Sequence, residues 1–411
     1  MSRVGVGSGR TVRIRFVRAR RHRRARLLVL LMAAVGIALG ILLPRIDAGA
    51  TVPTARAAEV LGALGFGILG LVTVIYSLLF LVVQSSNTTF TPRLDLFQDD
   101  PWIWRTYALA LGLFAFSTTA FLVMAGASDV TVVVPLLGFA VALVVLGLMW
   151  SIQAKAFDSL RMNSTLDRLQ AAGREVIEGL YPRRPVPETS RTEPPAPAPT
   201  NGRPVLWRGP QTTLQQLELR RLLRAGGRTD AEVVFRVGVG RTLWPGAAVA
   251  EVSGDLDDDV VVASCVTGVD RTFDQDPLLA FRLLADIGIR AMSPAVNDPA
   301  TAVQVLDAVV GLLLDLAQRD LTVGAITAPG SATRIHLDLP GWADYVDEGL
   351  DELLAASRHS PMVLERAVPT VTRLADQVPP DRLPEVAGRL QRLHAHLRAL
   401  RLETDTPPPT V

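Results

Sequence analysis

Residues 60–83 read VLGALGFGILGLVTVIYSLLFLVV, and this stretch decides the class of the protein because it contains no Asp, Glu, Lys, Arg or His. Three more such stretches lie at 27–43, 106–126 and 131–152. An α-helix rises about 1.5 Å per residue, so about 20 residues cross a hydrocarbon core about 30 Å thick. The last three stretches are long enough to cross, and the first is at the short end. The sequence therefore predicts four transmembrane helices.

The arginine distribution predicts how these helices are oriented. Ten arginines lie within residues 3–26, directly before the first apolar stretch. Basic residues also follow the fourth stretch, namely Lys155, Arg161, Arg168 and Arg174. Positively charged flanks stay in the cytoplasm, and an even number of spans returns the chain to its starting side. We therefore expect a multi-pass protein of a bacterial inner (plasma) membrane with both termini in the cytoplasm.

The first apolar stretch has a second interpretation as part of a signal peptide. Ala48-Gly49-Ala50 follows it and has the small residues typical of a cleavage site. Cleavage would remove one helix and would leave the C-terminal region on the same side of the membrane. The single cysteine, Cys265, allows no internal disulfide and no cysteine-based zinc site within one chain. The C-terminal region therefore needs no oxidising compartment.

The polar content of the four stretches limits their function. None contains Asp, Glu, Lys, Arg or His, which disfavours a proton-driven transporter, because such proteins usually need one of these side chains inside the membrane. Small residues recur at a four-residue spacing that lets helices approach closely. The pairs are Gly36 with Gly40, Ala108 with Gly112, and Gly138 with Ala142. Such spacing either packs one bundle or joins the protomers of a homo-oligomer.

The C-terminal half has mixed secondary structure. A helix is predicted over Ala154–Leu180, and eight prolines between Pro182 and Pro204 indicate an extended or disordered linker. Strands are predicted from β-branched and alternating runs at 231–237, 249–252, 260–266 and 333–339. Apolar periodicity beyond Gly341 predicts three helices that end near Arg401. The predicted fold class is an α-helical membrane protein with four transmembrane helices, a cytoplasmic α+β domain and C-terminal helices.

These patterns divide the 411 residues into seven predicted parts. They are a basic cytoplasmic arm (1–26), a four-helix transmembrane domain (27–153), a membrane-proximal helix (154–181), a Pro-rich linker (182–204), a cytoplasmic α+β domain (205–340), a C-terminal helical region (341–402) and a disordered tail (403–411).

Charged residues are most concentrated between Gly268 and Ala302. Asp276-Pro277 and Asp298-Pro299 are each typical of an N-cap acceptor followed by a first-turn proline, so each predicts a helix start. The helix between them carries one charged stripe with a spacing of four, formed by Arg282, Asp286 and Arg290.

This segment has a structural and a functional interpretation. The carboxylates of Asp270, Asp274 and Asp276 suggest a cation site, although the loop lacks the central Gly and terminal Glu of an EF-hand. If the two helices lie side by side, their N-termini suit an anion. Alternatively, the carboxylates cap helices and pair with arginines. The candidate ligand-binding residues are Asp270, Arg271, Asp274, Asp276, Arg290, Asn297 and Asp298.

The phrases DRTFDQD at 270–276 and RAMSPAVNDP at 290–299 are the most distinctive of the chain. Together with the apolar stretches, they resemble a family of predicted bacterial membrane proteins catalogued as a domain of unknown function. The resemblance runs from about Arg26 to about Leu400 and is specific around 268–302. Family members more often carry Leu, Gly and Ile where Met292, Ala295 and Val296 stand. The resemblance implies the architecture and brings no reaction, ligand or site with it.

The sequence carries none of the short catalytic signatures. There is no Walker loop, H-E-x-x-H, G-x-S-x-G or S-x-x-K motif. We expect no cofactor and assign no metal-ligating residue. The leading hypothesis is a non-enzymatic membrane protein whose cytoplasmic domain binds or senses a ligand or partner. The alternatives are an oligomeric channel or passive permeability protein, and a membrane-bound enzyme that uses the acidic segment 270–276. Expected partners are the lipid bilayer, a second copy in a homo-oligomer, and a small ligand or ion, but no nucleic acid.

Overall fold

The computed structural model describes most of the chain. The described residues are 2–6, 10–14, 21–46, 49–89, 101–125, 127–159, 162–184, 202–227 and 230–405. Outside them lie Ala48 and Arg161, residues 185–201 of the predicted linker and residues 406–411 of the predicted tail. The chain forms two compact units, which we call the helical unit (Arg18–Ser164) and the sheet unit (Met1–Val17 with Thr165–Val411).

Helices and short strands alternate irregularly along the chain. The helices are α1 (Arg21–Leu42), α2 (Thr54–Thr89), α3 (Pro101–Met124), α4 (Val133–Ser159), α5 (Met162–Leu180), α6 (Leu219–Gly226), α7 (Asp258–Val262), α8 (Leu279–Ala291), α9 (Pro299–Ala317), α10 (Trp342–Val346), α11 (Glu352–Ala356), α12 (Pro361–Gln377) and α13 (Leu383–Asp405). The strands are β1 (Ser2–Val6), β2 (Arg10–Ile14), β3 (Thr51–Pro53), β4 (Asp129–Thr131), β5 (Arg203–Leu206), β6 (Thr212–Leu217), β7 (Glu232–Phe235), β8 (Thr242–Leu243), β9 (Ala248–Ser253), β10 (Cys265–Gly268), β11 (Ile326–Thr327) and β12 (Arg334–His336).

Long apolar helices dominate the first half, as predicted. Five segments of the described chain are long and apolar enough to cross a membrane, at 27–45, 54–78, 102–124, 133–154 and 299–317. The first four correspond to α1 to α4, and the first also includes a short 3-10 helix, Leu43–Arg45, that follows α1. The fifth is α9, which the sequence does not predict as a span. Its apolar stretch is 61% buried within the protein, compared with at most 44% for the others, and α9 packs against α8 and α12.

Close backbone contact between α1 and α3 organises the helical unit. A Cβ atom at Gly36 would lie 2.1 Å from the carbonyl oxygen of Gly112, and one at Gly40 would lie 2.8 Å from that of Phe116. No side chain fits at such distances. The small-residue spacing that the sequence reveals in α1 and α3 therefore serves helix packing within one protomer.

Two sheets belong to the sheet unit. Seven strands pair in the order β2-β1-β11-β12-β7-β9-β5, and three pair in the order β10-β6-β8. The pair β12 and β7 is parallel, and the other neighbouring pairs of the large sheet are antiparallel. Both sheets contribute to one apolar core, which includes Val205, Leu214, Val233, Phe235, Val252 and Ile335.

The N-terminal segment contains a hairpin that the sequence does not predict. β1 and β2 pair antiparallel, and β1 also pairs with β11 through Gly5 and Thr327. Arginines interrupt the β-branched residues of this segment, such as Val12 and Ile14, so the pattern indicates only a basic arm. The partner strand β11 is distant in sequence, and a local pattern cannot reveal the pairing.

One further element differs from the sequence-based expectation. The run 260–266 is not one strand, because α7 covers Asp258–Val262 and β10 begins at Cys265. The Asp257 side chain accepts a hydrogen bond from the Asp259 N–H at 3.0 Å, and this N-cap outweighs the β-propensity of the valines. Of the helix predicted over 154–180, α4 covers the part up to Ser159 and α5 covers the part from Met162, and residues 160 and 161 lie outside the described residues.

The helical part of the sheet unit follows the predicted pattern after Gly341. A π-helical segment, Asp347–Asp351, joins α10 and α11 into one helical stretch, and α12 and α13 follow. The last helix continues to Asp405, beyond the predicted end. Gly349 lets the π segment approach the neighbouring helices, because a Cβ there would lie 2.8 Å from Val309 and 3.1 Å from Phe281.

Candidate functional site

One ion pair organises the loop that precedes α8. Nε and Nη2 of Arg271 donate to the two carboxylate oxygens of Asp276 at 2.6 and 2.9 Å. The Asp276 side chain is only 1% exposed, and that of Arg271 is 26% exposed. Asp276 also accepts a hydrogen bond from the Leu278 N–H at 3.1 Å. The predicted helix start is thus two residues early, because Asp276 caps a turn and α8 begins at Leu279.

Neighbouring residues enclose this ion pair. A Cβ atom at Gly240 would lie 2.2 Å from Oδ2 of Asp276 and 3.0 Å from Nε of Arg271, and Gly240 has a φ of +88°. Burial lowers the pKa of Arg271, but the hydrogen bonds and charge of Asp276 raise it, and the net shift is upward. Burial also raises the pKa of Tyr345, with contributions from Tyr181 and Asp276. Both oxygens of the Asp276 carboxylate therefore accept hydrogen bonds from Arg271 in an enclosed position.

The three aspartates of the loop do not converge. Asp270 is exposed, and its backbone oxygen accepts a hydrogen bond from Nε2 of Gln215 at 2.7 Å. Asp274 accepts one from the Thr272 hydroxyl at 3.2 Å. In the part of the chain that the structure describes, no group of three or more His, Cys, Asp or Glu side chains is placed to hold a metal. The geometry does not support a cation site formed by these three carboxylates.

The charged stripe of α8 connects helices. Arg282 donates to Oδ1 of Asp286 at 2.8 Å and forms an ion pair with Glu352 at 3.0 Å. Its side chain is 25% exposed, and that of Asp286 is 18% exposed, so this part of the stripe is half-buried. Arg290 lies in the last turn of α8, where a positive charge complements the carbonyl end of a helix.

Helices α8 and α9 form an antiparallel hairpin that divides the predicted site. The Asp298 N–H donates to the Ala291 carbonyl at 2.7 Å, and a Cβ at Gly288 would lie 3.1 Å from Val305. α8 has 13 residues, so its N-terminus lies about 20 Å from that of α9 at about 1.5 Å per residue. One end of the hairpin carries Asp270, Arg271, Asp274 and Asp276, and the other carries Arg290, Asn297 and Asp298. The two helix N-termini do not meet.

The loop between these helices has an unusual backbone. Asn297 has a φ of +46° and is the only non-glycine residue with a positive φ among those described. Its N–H donates to the Ser293 carbonyl at 2.9 Å, and Asn tolerates this region better than most residues. Asp298 caps α9 by accepting from the Thr301 hydroxyl at 2.6 Å and the Thr301 N–H at 3.1 Å, which confirms the predicted cap. These bonds hold the pKa of Asp298 below its usual range.

A cavity of about 520 Å³ opens beside this loop. Small-molecule sites have volumes of about 300–1,000 Å³. The loop contributes Met292, Pro294 and Asn297 to the lining. The end of α11, the connection that follows it and the start of α12 contribute Ala355, Ala356, Arg358, His359, Ser360 and Pro361. None of these lining residues is acidic. Of the predicted site residues, only Asn297 lines the cavity.

The sequence-based prediction missed the residues on the far wall of the cavity, Arg358, His359 and Ser360. Ser360-Pro361 has the same form as Asp298-Pro299, a capping residue before a first-turn proline, and it marks the start of α12. That signal is readable in the sequence. No local pattern indicates that the start of α12 faces the 292–298 loop.

The chain matches a membrane protein family along most of its length. Residues 22–373 match the family described as Predicted membrane protein (DUF2254). Uncharacterized proteins of Mycobacterium bovis and of Mycobacterium tuberculosis (strain H37Rv) are each 25% identical over 225 residues, which is 53% of this chain and 43% of theirs. The chain thus spans less than half the length of these curated relatives. No solved structure matches the chain. Because the family match covers most of its residues, this protein belongs to the predicted membrane protein family DUF2254.

Proposed function

We propose that this protein is a four-span protein of a bacterial inner membrane, with both termini in the cytoplasm. In this proposal the sheet unit binds a small ligand without transforming it and couples binding to the membrane helices. The observation that carries the proposal is the cavity between the 292–298 loop and the start of α12.

Chain connectivity supports an even number of spans. Because β1 pairs with β11, residues before α1 and residues after α4 belong to one unit. A chain that leaves and rejoins one unit crosses a membrane an even number of times. This fits α1 to α4 as the spans and α9 as a core helix of the sheet unit. The arginines of residues 3–26 favour the cytoplasm for that unit.

The side chains around the cavity favour binding over catalysis. Nε2 of His359 accepts a hydrogen bond from Nε of Arg358 at 2.9 Å, and no hydrogen bond joins His359 to the Ser360 hydroxyl within the described chain. A serine nucleophile needs such a base within hydrogen-bond reach. The acidic segment 270–276 offers no better catalytic centre, since the carboxylate of Asp276 is buried and paired with Arg271.

Helix α5 offers a connection from the cavity loop to the membrane. Two residues separate its start from the end of α4. Nε2 of Gln170 donates to the Ala308 carbonyl at 2.8 Å, and Nε of Arg174 donates to Asp315 at 2.5 Å. Both acceptors belong to α9, the helix that starts at the cavity loop. We propose that a ligand against this loop shifts α9 relative to α5.

Native mass spectrometry of the full-length protein tests the proposal. Protein purified in mild detergent from its host should carry a small-molecule adduct of any charge class. Ala356→Trp fills the cavity from its wall and should remove the adduct. Ala395→Trp places the same bulk on the exposed surface of α13 and should leave it in place. An adduct that persists in Ala356→Trp, or no adduct in the parent, would contradict binding in this cavity.

A further inference from the structure

The start of α12 lacks the side-chain cap that its sequence suggests. Ser360 is the N-cap residue, yet its side chain makes no capping hydrogen bond. The residue is 8% exposed and lines the cavity. No hydrogen-bond partner of its hydroxyl lies in the described chain. The residue is therefore buried, and its hydroxyl has no protein partner in the described chain and borders an open space.

The backbone at this point favours a negative charge. The N–H groups of the first helical turn have no partner within the helix, and Pro361 contributes none. The Leu364 N–H donates to the Ser360 carbonyl at 3.0 Å. The N–H groups of Met362 and Val363 are therefore the remaining donors of the first turn. α12 has 17 residues, so the dipole of a full helix adds partial positive charge at this end.

The side chains that line the cavity also favour a negatively charged ligand. Arg358 is exposed, and one of its nitrogens donates to His359. Its other guanidinium nitrogens form no ion pair with any described residue. Asn297 adds an amide on the opposite wall, and the lining contains no carboxylate to repel an anion. A positively charged side chain, a hydroxyl and the first residue of α12 thus line one space.

We infer that this cavity binds a small organic anion, with its phosphate or carboxylate at the N-terminus of α12 against Ser360 and Arg358. The inference rests on the proposed ligand-binding function and specifies the class of ligand. Met292, Pro294 and Pro361 form an apolar part of the wall that contacts the body of the ligand. A phosphate in this position satisfies the Ser360 hydroxyl and the first-turn N–H groups together.

Thermal shift and calorimetry with two probes test the inference on the full-length protein in phosphatidylcholine nanodiscs. Inorganic phosphate should raise the melting temperature, and phenyl phosphate should bind more tightly because its ring contacts the apolar wall. Arg358→Ala should weaken phenyl phosphate binding about tenfold. The matched control Arg373→Ala removes an exposed arginine within α12 that does not line the cavity, and it should not change binding.

Ser360→Asp provides an independent readout. Asp is a favourable N-cap, so this variant should melt at a higher temperature than the parent while it no longer responds to phosphate. A second arm replaces the soluble probes with nanodiscs that contain phosphatidylglycerol. A stabilisation seen only in that arm and lost in Arg358→Ala assigns the bound phosphate to a lipid headgroup.

The inference is overturned if neither arm stabilises the parent, or if Arg358→Ala and Ser360→Asp respond like the parent. If an adduct is still lost in Ala356→Trp while phosphate has no effect, the cavity binds a ligand of another class. That result would contradict the anion and leave the proposed function standing.

Discussion

The guanidinium of Arg271 and the carboxylate of Asp276 form a two-point ion pair, with Nε–Oδ2 and Nη2–Oδ1 distances of 2.6 and 2.9 Å. The two residues are five positions apart, and the pair closes the loop before α8. Both belong to the set of candidate ligand residues, and both carboxylate oxygens of Asp276 are bonded to Arg271. In this structure the pair holds the loop before α8.

Removing one partner of this ion pair should destabilise the fold. Asp276→Ala leaves the partly buried Arg271 without its counter-charge and should lower the unfolding free energy by about 3 kcal/mol. Asp274→Ala changes the same loop at a less buried carboxylate and should cost less than about 1 kcal/mol. Urea and thermal unfolding of the full-length protein in detergent measure both. The interpretation fails if the two variants are equally stable.

Gly240 should be more sensitive to substitution than a glycine with the same backbone and free space. Gly240→Ala and Gly246→Ala both place an alanine at positive φ, +88° and +80°, at a cost of about 1–2 kcal/mol. Only at Gly240 would the new Cβ meet Asp276, 2.2 Å from Oδ2. Gly240→Ala should therefore lose at least about 1 kcal/mol more. Equal unfolding free energies would show that the ion pair moves aside without cost.

Gly36 should be required for the stability of a single protomer. The Cβ of Gly36→Ala would lie 2.1 Å from the Gly112 carbonyl oxygen, so α1 and α3 must separate, at a cost of about 1–3 kcal/mol. Gly67→Ala is the control, because no heavy atom outside its own helix lies within 4 Å of the new Cβ. Thermal unfolding in detergent, with light scattering for the mass, separates stability from assembly. A change in oligomer mass without a change in melting temperature would contradict packing within the protomer.

Reporter fusions should place both ends of the chain on one side of the membrane. Fusions after Arg26, at Thr200 and at Val411 should report cytoplasm, and one near Val52 should report periplasm. The physical reason is the arginine bias before α1 together with the pairing of β1 and β11. A periplasmic signal at Thr200 would contradict four spans.

Cys265 should react slowly with thiol reagents while the protein is folded. Burial raises the pKa of its thiol to about 11, although a hydrogen bond with Ser264 partly opposes this shift. Since the thiolate is the reactive species, a rise of about two units predicts about hundredfold slower labelling near pH 8 than for an unperturbed thiol. The rate should increase as the pH rises towards that pKa. The sole cysteine makes the assay unambiguous, and the protein unfolded in detergent and urea is the control. Equal rates before and after unfolding would contradict the burial.

The sequence by itself determined the features that depend on neighbouring residues. Apolar runs such as 131–152 identify the long helices of the first half, because their length and lack of charge are properties of one segment. Asp298 before Pro299 predicts the start of α9, since an N-cap acts over three residues. Of the candidate ligand residues that the sequence suggested, only Asn297 lines the cavity in the structure.

Tertiary structure alone decided which residues meet. The hairpin of α8 and α9 separates Asp276 from Asp298, although both precede a helix, because antiparallel packing puts the two starts at opposite ends. The hydrogen bonds of β1 go to β11, and the cavity joins Asn297 to Ser360. Sheet pairing and packing depend on partners that are far away in the chain, and no pattern within a few residues encodes the identity of such a partner.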